Sequence, residues 1–204
     1  MSDRAGLLEW CVAGRALPGE EHSGDDALVL VDGRRALVAA IDGVGHGPLA
    51  REAARAAVAA LGQEPWDDVV ASTRRCHAAL RATRGAAVGL AAFGGAGTVT
   101  WLGVGNISGR LVTGGGLSAP AGRLLASLSG VAGDDDLPAL RPATIPVRRG
   151  DVLILVTDGI DGAFADDVVV TGTCEEIAGH VLRDFARATD DALVVVARYL
   201  AEDA

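Results

Sequence analysis

The sequence predicts an α+β fold, two antiparallel sheets with helices on their outer faces. Three observations lead there. The element order reads strands, two helices, strands, a helix and a last strand, so helices do not alternate with single strands and a doubly wound parallel sheet is disfavoured. Residues 86–119 are short apolar runs split by glycines, the pattern of an antiparallel meander. The chain has 204 residues, 50% apolar and 22% charged, enough to bury the core of one domain spanning 1–204.

Each element follows from its own pattern. Residues 7–14 and 27–32 read as strands, the second closing at the turn Asp32-Gly33, and 36–41 follow as its hairpin partner. The glycine-rich loop Asp42-Gly43-Val44-Gly45-His46-Gly47-Pro48 then makes a tight strand-to-helix turn, with Pro48 at a helix start. Apolar residues recur at Leu49, Ala53, Ala57 and Leu61, which is helix spacing. A second helix over 67–82 carries Val69, Val70, Thr73, Cys76, His77 and Leu80 on its stripe, and His77 is expected to be packed. Strands follow at 86–93, 97–104 and 107–113, then a loop over 121–143 in which Asp134, Asp135 and Asp136 read as a solvated loop in preference to a weak extra metal site. Residues 151–156 form a continuous apolar run of the kind buried on both faces. A third helix starts at Thr173 with Glu176 completing a capping box, its buried stripe being Ile177, Val181 and Phe185. Residues 192–197 are the last strand.

Composition excludes several classes. All 18 basic residues are arginine, so any mechanism that needs a lysine of its own is ruled out: a P-loop clamp, a Schiff base, a kinase. A net charge of −9 repels a phosphate backbone, so no nucleic-acid partner is expected. Cys11, Cys76 and Cys174 have no metal-ligand spacing and read as buried thiols in a reducing compartment. The N-terminus lacks a signal-peptide pattern and no apolar run reaches a membrane span, so a cytoplasmic protein without membrane contact is expected.

The acids fall at strand ends. Asp25 and Asp26 precede one strand, Asp42 follows another, Asp158 follows the buried run, and Asp190 and Asp191 precede the last strand. Carboxylates from four strand ends can converge at one rim, where their repulsion favours a bound cation. Hard oxygen ligands select Mg²⁺ or Mn²⁺, and two such ions can activate a water and clamp a phosphoryl group. Any one of these aspartates alone is equally a turn residue. Asp151 and Asp191 either support such a site or finish turns.

Four ordered segments carry a resemblance: Ser23-Gly24-Asp25-Asp26, Asp42-Gly43-Val44-Gly45-His46-Gly47, Thr157-Asp158-Gly159-Ile160 and Asp190-Asp191-Ala192-Leu193-Val194-Val195. With the spacer Val147-Arg148-Arg149-Gly150-Asp151-Val152, the chain resembles the metal-dependent protein phosphatases (PPM, or type 2C) over roughly 20–200, and more narrowly the bacterial sporulation and stress-pathway branch. The resemblance implies a four-layer αββα sandwich. It implies that Asp42 bridges two Mn²⁺ or Mg²⁺ ions, with the Gly43 carbonyl on the second ion and Asp158 and Asp190 on the first. The first segment would supply Asp25 or Asp26, Asp25 being preferred because it follows Ser-Gly. Asp42 and Asp158 would thus carry catalysis, by attack of a water activated between the ions and without a covalent phosphoenzyme.

The chain also departs from the family pattern. Where larger members hold a phosphate-gripping arginine, this sequence has Glu20, Glu21 and His22, and Arg15 is the nearest candidate for substrate binding. There is little room for the helical flap of larger members. His46 has two readings: an acid for the leaving oxygen, as its ordinary pKa allows, or a residue that orders the glycine loop. In size the chain resembles the stand-alone stress-pathway phosphatase, which implies a phosphoserine or phosphothreonine of a bacterial signalling protein, STAS-type regulators included, as the substrate. The rival readings are an inactive family member that binds a signalling partner as an adaptor, and a hydrolase of small phosphoesters.

Overall fold

A computed structural model describes residues 2–66, 68–113, 122–134 and 136–201. In chain order the strands and helices are β1 (Asp3–Ala5), β2 (Leu8–Arg15), β3 (Asp25–Asp32), β4 (Arg35–Gly43), α1 (Gly47–Gln63), α2 (Val69–Leu80), β5 (Ala86–Gly94) and β6 (Thr98–Val104). They continue as β7 (Ser108–Val112), β8 (Gly122–Leu125), β9 (Ala143–Pro146), β10 (Val152–Val156), α3 (Phe164–Asp167), α4 (Cys174–Phe185) and β11 (Ala192–Tyr199).

Two sheets form, in the orders β1-β2-β11-β10-β7-β8 and β3-β4-β5-β6-β9, and every named pair is antiparallel. Strand alternation sorts the side chains into layers. Val38, Ala40, Ala91 and Trp101 of one sheet meet Leu153, Leu155, Val195 and Ala197 of the other in the central core. The outer face of the five-stranded sheet (Ala39, Ile41, Val88, Leu90) packs on Ala53, Ala57, Leu61 and Cys76 of α1 and α2. The outer face of the six-stranded sheet (Ile154, Val156, Val194, Val196) packs on α3 and α4 through Phe164, Ile177 and Val181. The result is the expected αββα sandwich. Among the described residues, no helix is long and apolar enough to cross a membrane.

Local signals explain most boundaries. Asp32 pairs with Arg35 across a two-residue loop in which Gly33 takes φ 57°, a conformation glycine adopts without penalty. Asp68 caps α2 by accepting from the Val70 and Ala71 amides. At α4, Thr173 Oγ1 accepts from the Glu176 amide while Glu176 Oε2 accepts from the Thr173 amide, the expected capping box.

The structure also corrects the sequence reading. Asp25, Asp26, Asp42 and Gly43 belong to β3 and β4 rather than flanking them, because the ladder pairs Asp25 with Asp42 and the strands continue to that point. Leu49 is 50% exposed, and Ala50 takes the buried place in the first turn of α1. The reason is close approach: a methyl at Gly24 would lie 2.6 Å from the Ala50 Cβ, so a side chain as large as leucine has no room at position 50. The span 121–143 contains β8 and the start of β9, paired with β7 and β6. The acidic triplet is described at Asp134 and Asp136, while Asp135 lies outside the described residues. Short β1 and α3 had no readable period, since three or four residues cannot show one.

Candidate functional site

Both sheets place their acids at one end of the sandwich. On the five-stranded sheet, Asp25 and Asp42 face each other across the β3–β4 ladder. On the six-stranded sheet, β10 and β11 are neighbours, and Asp158 just after β10 and Asp190 just before β11 line one cavity. Strand alternation separates the first pair of acids. Asp25 shares its face with Ala27, Val29 and Val31, which pack on the core between the sheets, whereas Asp26 shares its face with Leu28, on the α1–α2 side. Asp26 Oδ1 accepts from the Ala27 amide at 2.8 Å.

The two sheets are stitched together at this rim by neighbours of the candidate ligands. Thr157 Oγ1 donates to Asp25 Oδ2 at 2.7 Å and accepts from the Leu193 amide at 2.9 Å, linking β3 to β11. Asp191, only 2% exposed, accepts from the Leu17 amide at 2.7 Å and the Gly24 amide at 2.8 Å. Its part is therefore to fix the segment that leads into β3. Asn106, in the turn between β6 and β7, donates to Asp158 Oδ2 at 2.6 Å, and its amide acts to lower the Asp42 pKa.

The electrostatics follow from this crowding. Burial first, then the Asp42 charge, pushes Asp25 up to about 8 despite the Thr157 hydrogen bond. Burial first, then Asp158, pushes Asp42 up to about 7. Asp190 is also raised, by burial first and then by Asp158 and Asp191, with His46 acting the other way. These carboxylates hold one another's negative charge at a cost that a cation would remove. Among the described residues, no group of three or more His, Cys, Asp and Glu side chains stands close enough together to grip a metal ion. The donors are nonetheless all oxygen, mutually repelling and at one rim, a set that fits hard divalent cations.

The glycine loop frames the site. Gly45 and Gly47 take φ 88° and 74°, which L side chains rarely adopt, and the Val44 amide donates to the Gly85 carbonyl at 3.0 Å. His46 is the N-cap of α1 but makes no capping bond. Its Nδ1 lies 2.7 Å from Glu20 Oε1 instead, so Glu20 orients the ring. A cavity of about 460 Å³ opens over the cluster, lined by Asp42, Val44, Gly45, Asn106, Asp158 and Asp190. Arg15 lines a different cavity, with Asp25 and Asp26, and its Nη2 donates to the Arg187 carbonyl. His77 is half-buried and its Nδ1 accepts from the Gly133 amide at 3.0 Å. The three cysteines are free and buried.

Comparison with solved structures gives this arrangement a family. A chain from the structure described as the bacterial stressosome, a modular system adapted to control secondary messenger signalling, is 30% identical. The match covers 94% of this chain and 99% of that one, with a TM-score of 0.85. The chain belongs to the metal-dependent protein phosphatases, the PPM or type 2C family. Two further PPM-type structures share its fold. RsbX in complex with magnesium is 20% identical, with 98% of each chain covered and a TM-score of 0.83. The PP2C phosphatase domain of SpoIIE from Bacillus subtilis, crystallised with a fragment of its regulatory domain, is 19% identical, with 96% of this chain and 64% of that chain covered and a TM-score of 0.75. No family model matches the sequence, and no curated protein does.

Within this PPM sandwich, the residues missed from the sequence are Asn106, Thr157 as a cross-sheet link, and Glu20 behind His46. Asn106 and Glu20 sit in turns without a motif. Only Thr157 had a signal, its place directly before Asp158.

Proposed function

We propose that this PPM-family chain, read as one phosphatase domain over 1–204, hydrolyses phosphoserine or phosphothreonine on a bacterial signalling protein, STAS-type regulators included. The observation that carries the reading is the placement of four acids at one rim, Asp25 opposite Asp42 on β3 and β4 and Asp158 with Asp190 at the ends of β10 and β11, with Asp25 and Asp42 raised to about 8 and about 7. Two Mn²⁺ or Mg²⁺ ions, when bound, would polarise the phosphoryl oxygens and make a nearby water acidic enough to attack at neutral pH. Asp42 and the Gly43 carbonyl would hold them from β4, Asp158 and Asp190 from the ends of β10 and β11, and Asp25 from β3. Asp26 faces the α1–α2 side, which favours Asp25 of the two.

The chain's other residues have work of their own. Asn106 and Thr157 fix the orientations of Asp158 and Asp25 before a ligand arrives, which lowers the cost of assembling the site. Glu20 holds His46 at Nδ1, leaving Nε2 free to give a proton to the leaving serine or threonine oxygen. Arg15 is the candidate for substrate contact outside the carboxylate cavity. Likeness to a stressosome protein supports a signalling substrate, and the magnesium in RsbX supports the choice of metals.

The test is hydrolysis of an aryl phosphate and a phosphoserine peptide with Mn²⁺, with Mg²⁺ and with chelator, alongside Asp158→Asn. Activity that needs metal and disappears in Asp158→Asn is expected. A folded wild-type protein with no activity under either metal would refute the reading.

A further inference from the structure

A second cavity, about 510 Å³, is lined by Asp25 of the carboxylate cluster together with Arg15, Arg51, Arg55, Glu21 and Asp26. Its arginines are arranged against their own local interest. Arg51 and Arg55 lie four residues apart on α1, where like charges repel along one helix face. Neither guanidinium is ion-paired or hydrogen-bonded among the described residues. Arg15 Nε is buried without a hydrogen-bond partner, although its Nη2 is engaged by the Arg187 carbonyl. Of the carboxylates that share the cavity, Asp25 Oδ2 accepts from Thr157 and Asp26 Oδ1 from the Ala27 amide. Arg51 and Arg55 form no ion pair with the carboxylates that share the cavity, Glu21, Asp25 and Asp26, so their N–H donors are open to an external anion.

We propose that this cavity is a specificity subsite for acidic side chains that flank the phosphorylated residue of a protein substrate. The proposal rests on the phosphatase reading above and names what that site selects. Guanidinium groups match carboxylates by paired N–H donors, a geometry that favours Asp and Glu over neutral residues. An extended peptide places same-face side chains about 7 Å apart. One acidic run therefore presents several carboxylates to arginines that come from two separate elements, β2 and α1, as a single small anion does not. Asp25 lines this cavity and also belongs to the carboxylate cluster, so a peptide seated here has its phosphoryl group within reach of the metal site.

The test compares two fluorescent phosphoserine peptides, one with Glu on both sides of the phosphoserine and one with Gln. Binding is followed by anisotropy in chelator, where no turnover consumes the peptide, for wild type and for Arg51→Glu/Arg55→Glu. Wild type is expected to bind the Glu peptide about five-fold more tightly, the size of two or three exposed ion pairs. The charge-reversed variant is expected to prefer the Gln peptide and to gain affinity for a third peptide with Arg flanks. Equal affinity for the Glu and Gln peptides in wild type, or the same preference in both proteins, would overturn the subsite. Because binding is read without catalysis, loss of the phosphatase reading and loss of the subsite are separate outcomes. Circular dichroism of the variant shows that it is folded, and Arg51→Gln/Arg55→Gln, which abolishes the preference without reversing it, is the milder second variant.

Discussion

Gly159 follows Asp158 at the point where β10 hands over to the β11 edge, and Gly159→Ala is a sharp test of how tightly this rim is built. A methyl there would overlap the Asp191 carbonyl oxygen, lie 2.8 Å from the Asp191 carbonyl carbon and 3.1 Å from the Ala192 Cα. Ordinary carbon contacts are about 3.5–4.0 Å, so β11 must retreat by roughly 1 Å at its first residue. That movement pulls on two bonds of the rim, Thr157 amide to Leu193 carbonyl at 3.2 Å and Leu193 amide to Thr157 Oγ1 at 2.9 Å. Overpacking costs about 1–3 kcal/mol and each lost hydrogen bond about 1 kcal/mol, giving roughly 3–5 kcal/mol in all. For a chain of this size that lowers Tm by roughly 6–20 °C, at about 2–4 °C per kcal/mol. Urea unfolding read by circular dichroism should show the midpoint falling by about 1–3 M at unchanged m. Gly162→Ala is the internal control, because a methyl at Gly162 meets nothing within 4 Å, and it should unfold like wild type. If Gly159→Ala unfolds at the wild-type midpoint, the rim is far softer than these contacts require and the reasoning fails.

Three other outcomes are expected. With metal chelated, folded Asp25 and Asp42 keep their protons to about pH 8 and 7, while the unfolded chain releases them near 3.8. Their stabilisation is thus complete below about pH 4 and is lost as pH rises through 7 to 8. Differential scanning fluorimetry should show Tm falling between pH 5 and 8.5 in chelator, recovering with Mn²⁺, and falling less steeply in Asp42→Asn; a flat profile in the chelated wild type would contradict the crowding. The Cys76 and Cys174 thiols are pushed up to about 12 by burial, so Ellman's reagent at pH 8 should find them unreactive until urea is added. Gly62 in α1 and Gly179 in α4 have open space where a methyl would go, so Gly62→Ala and Gly179→Ala should each stabilise the protein by about 0.5–1 kcal/mol in urea titrations.

The linear sequence determined the elements and their order. The Asp32-Gly33 turn marked the start of β4, a continuous apolar run marked β10, helix spacing marked α1 and α2, and the Thr173–Glu176 pair marked the start of α4, because these signals arise between residues a few positions apart. It also located the four aspartate segments, since strand ends are where turn residues and acids gather. Only the tertiary structure decided what those aspartates meet. Thr157 reaches Asp25 across 132 residues of chain, and Asp191 reaches Gly24 across 167. No local pattern encodes such contacts, which depend on how two sheets stack. Burial of the first turn of α1 by Ala50 instead of Leu49 was equally illegible, because it is set by the close approach of that helix to Gly24 and Gly43. The same stacking separates Asp25 from Asp26: one residue of strand register turns a side chain from the layer between the sheets to the layer of α1 and α2.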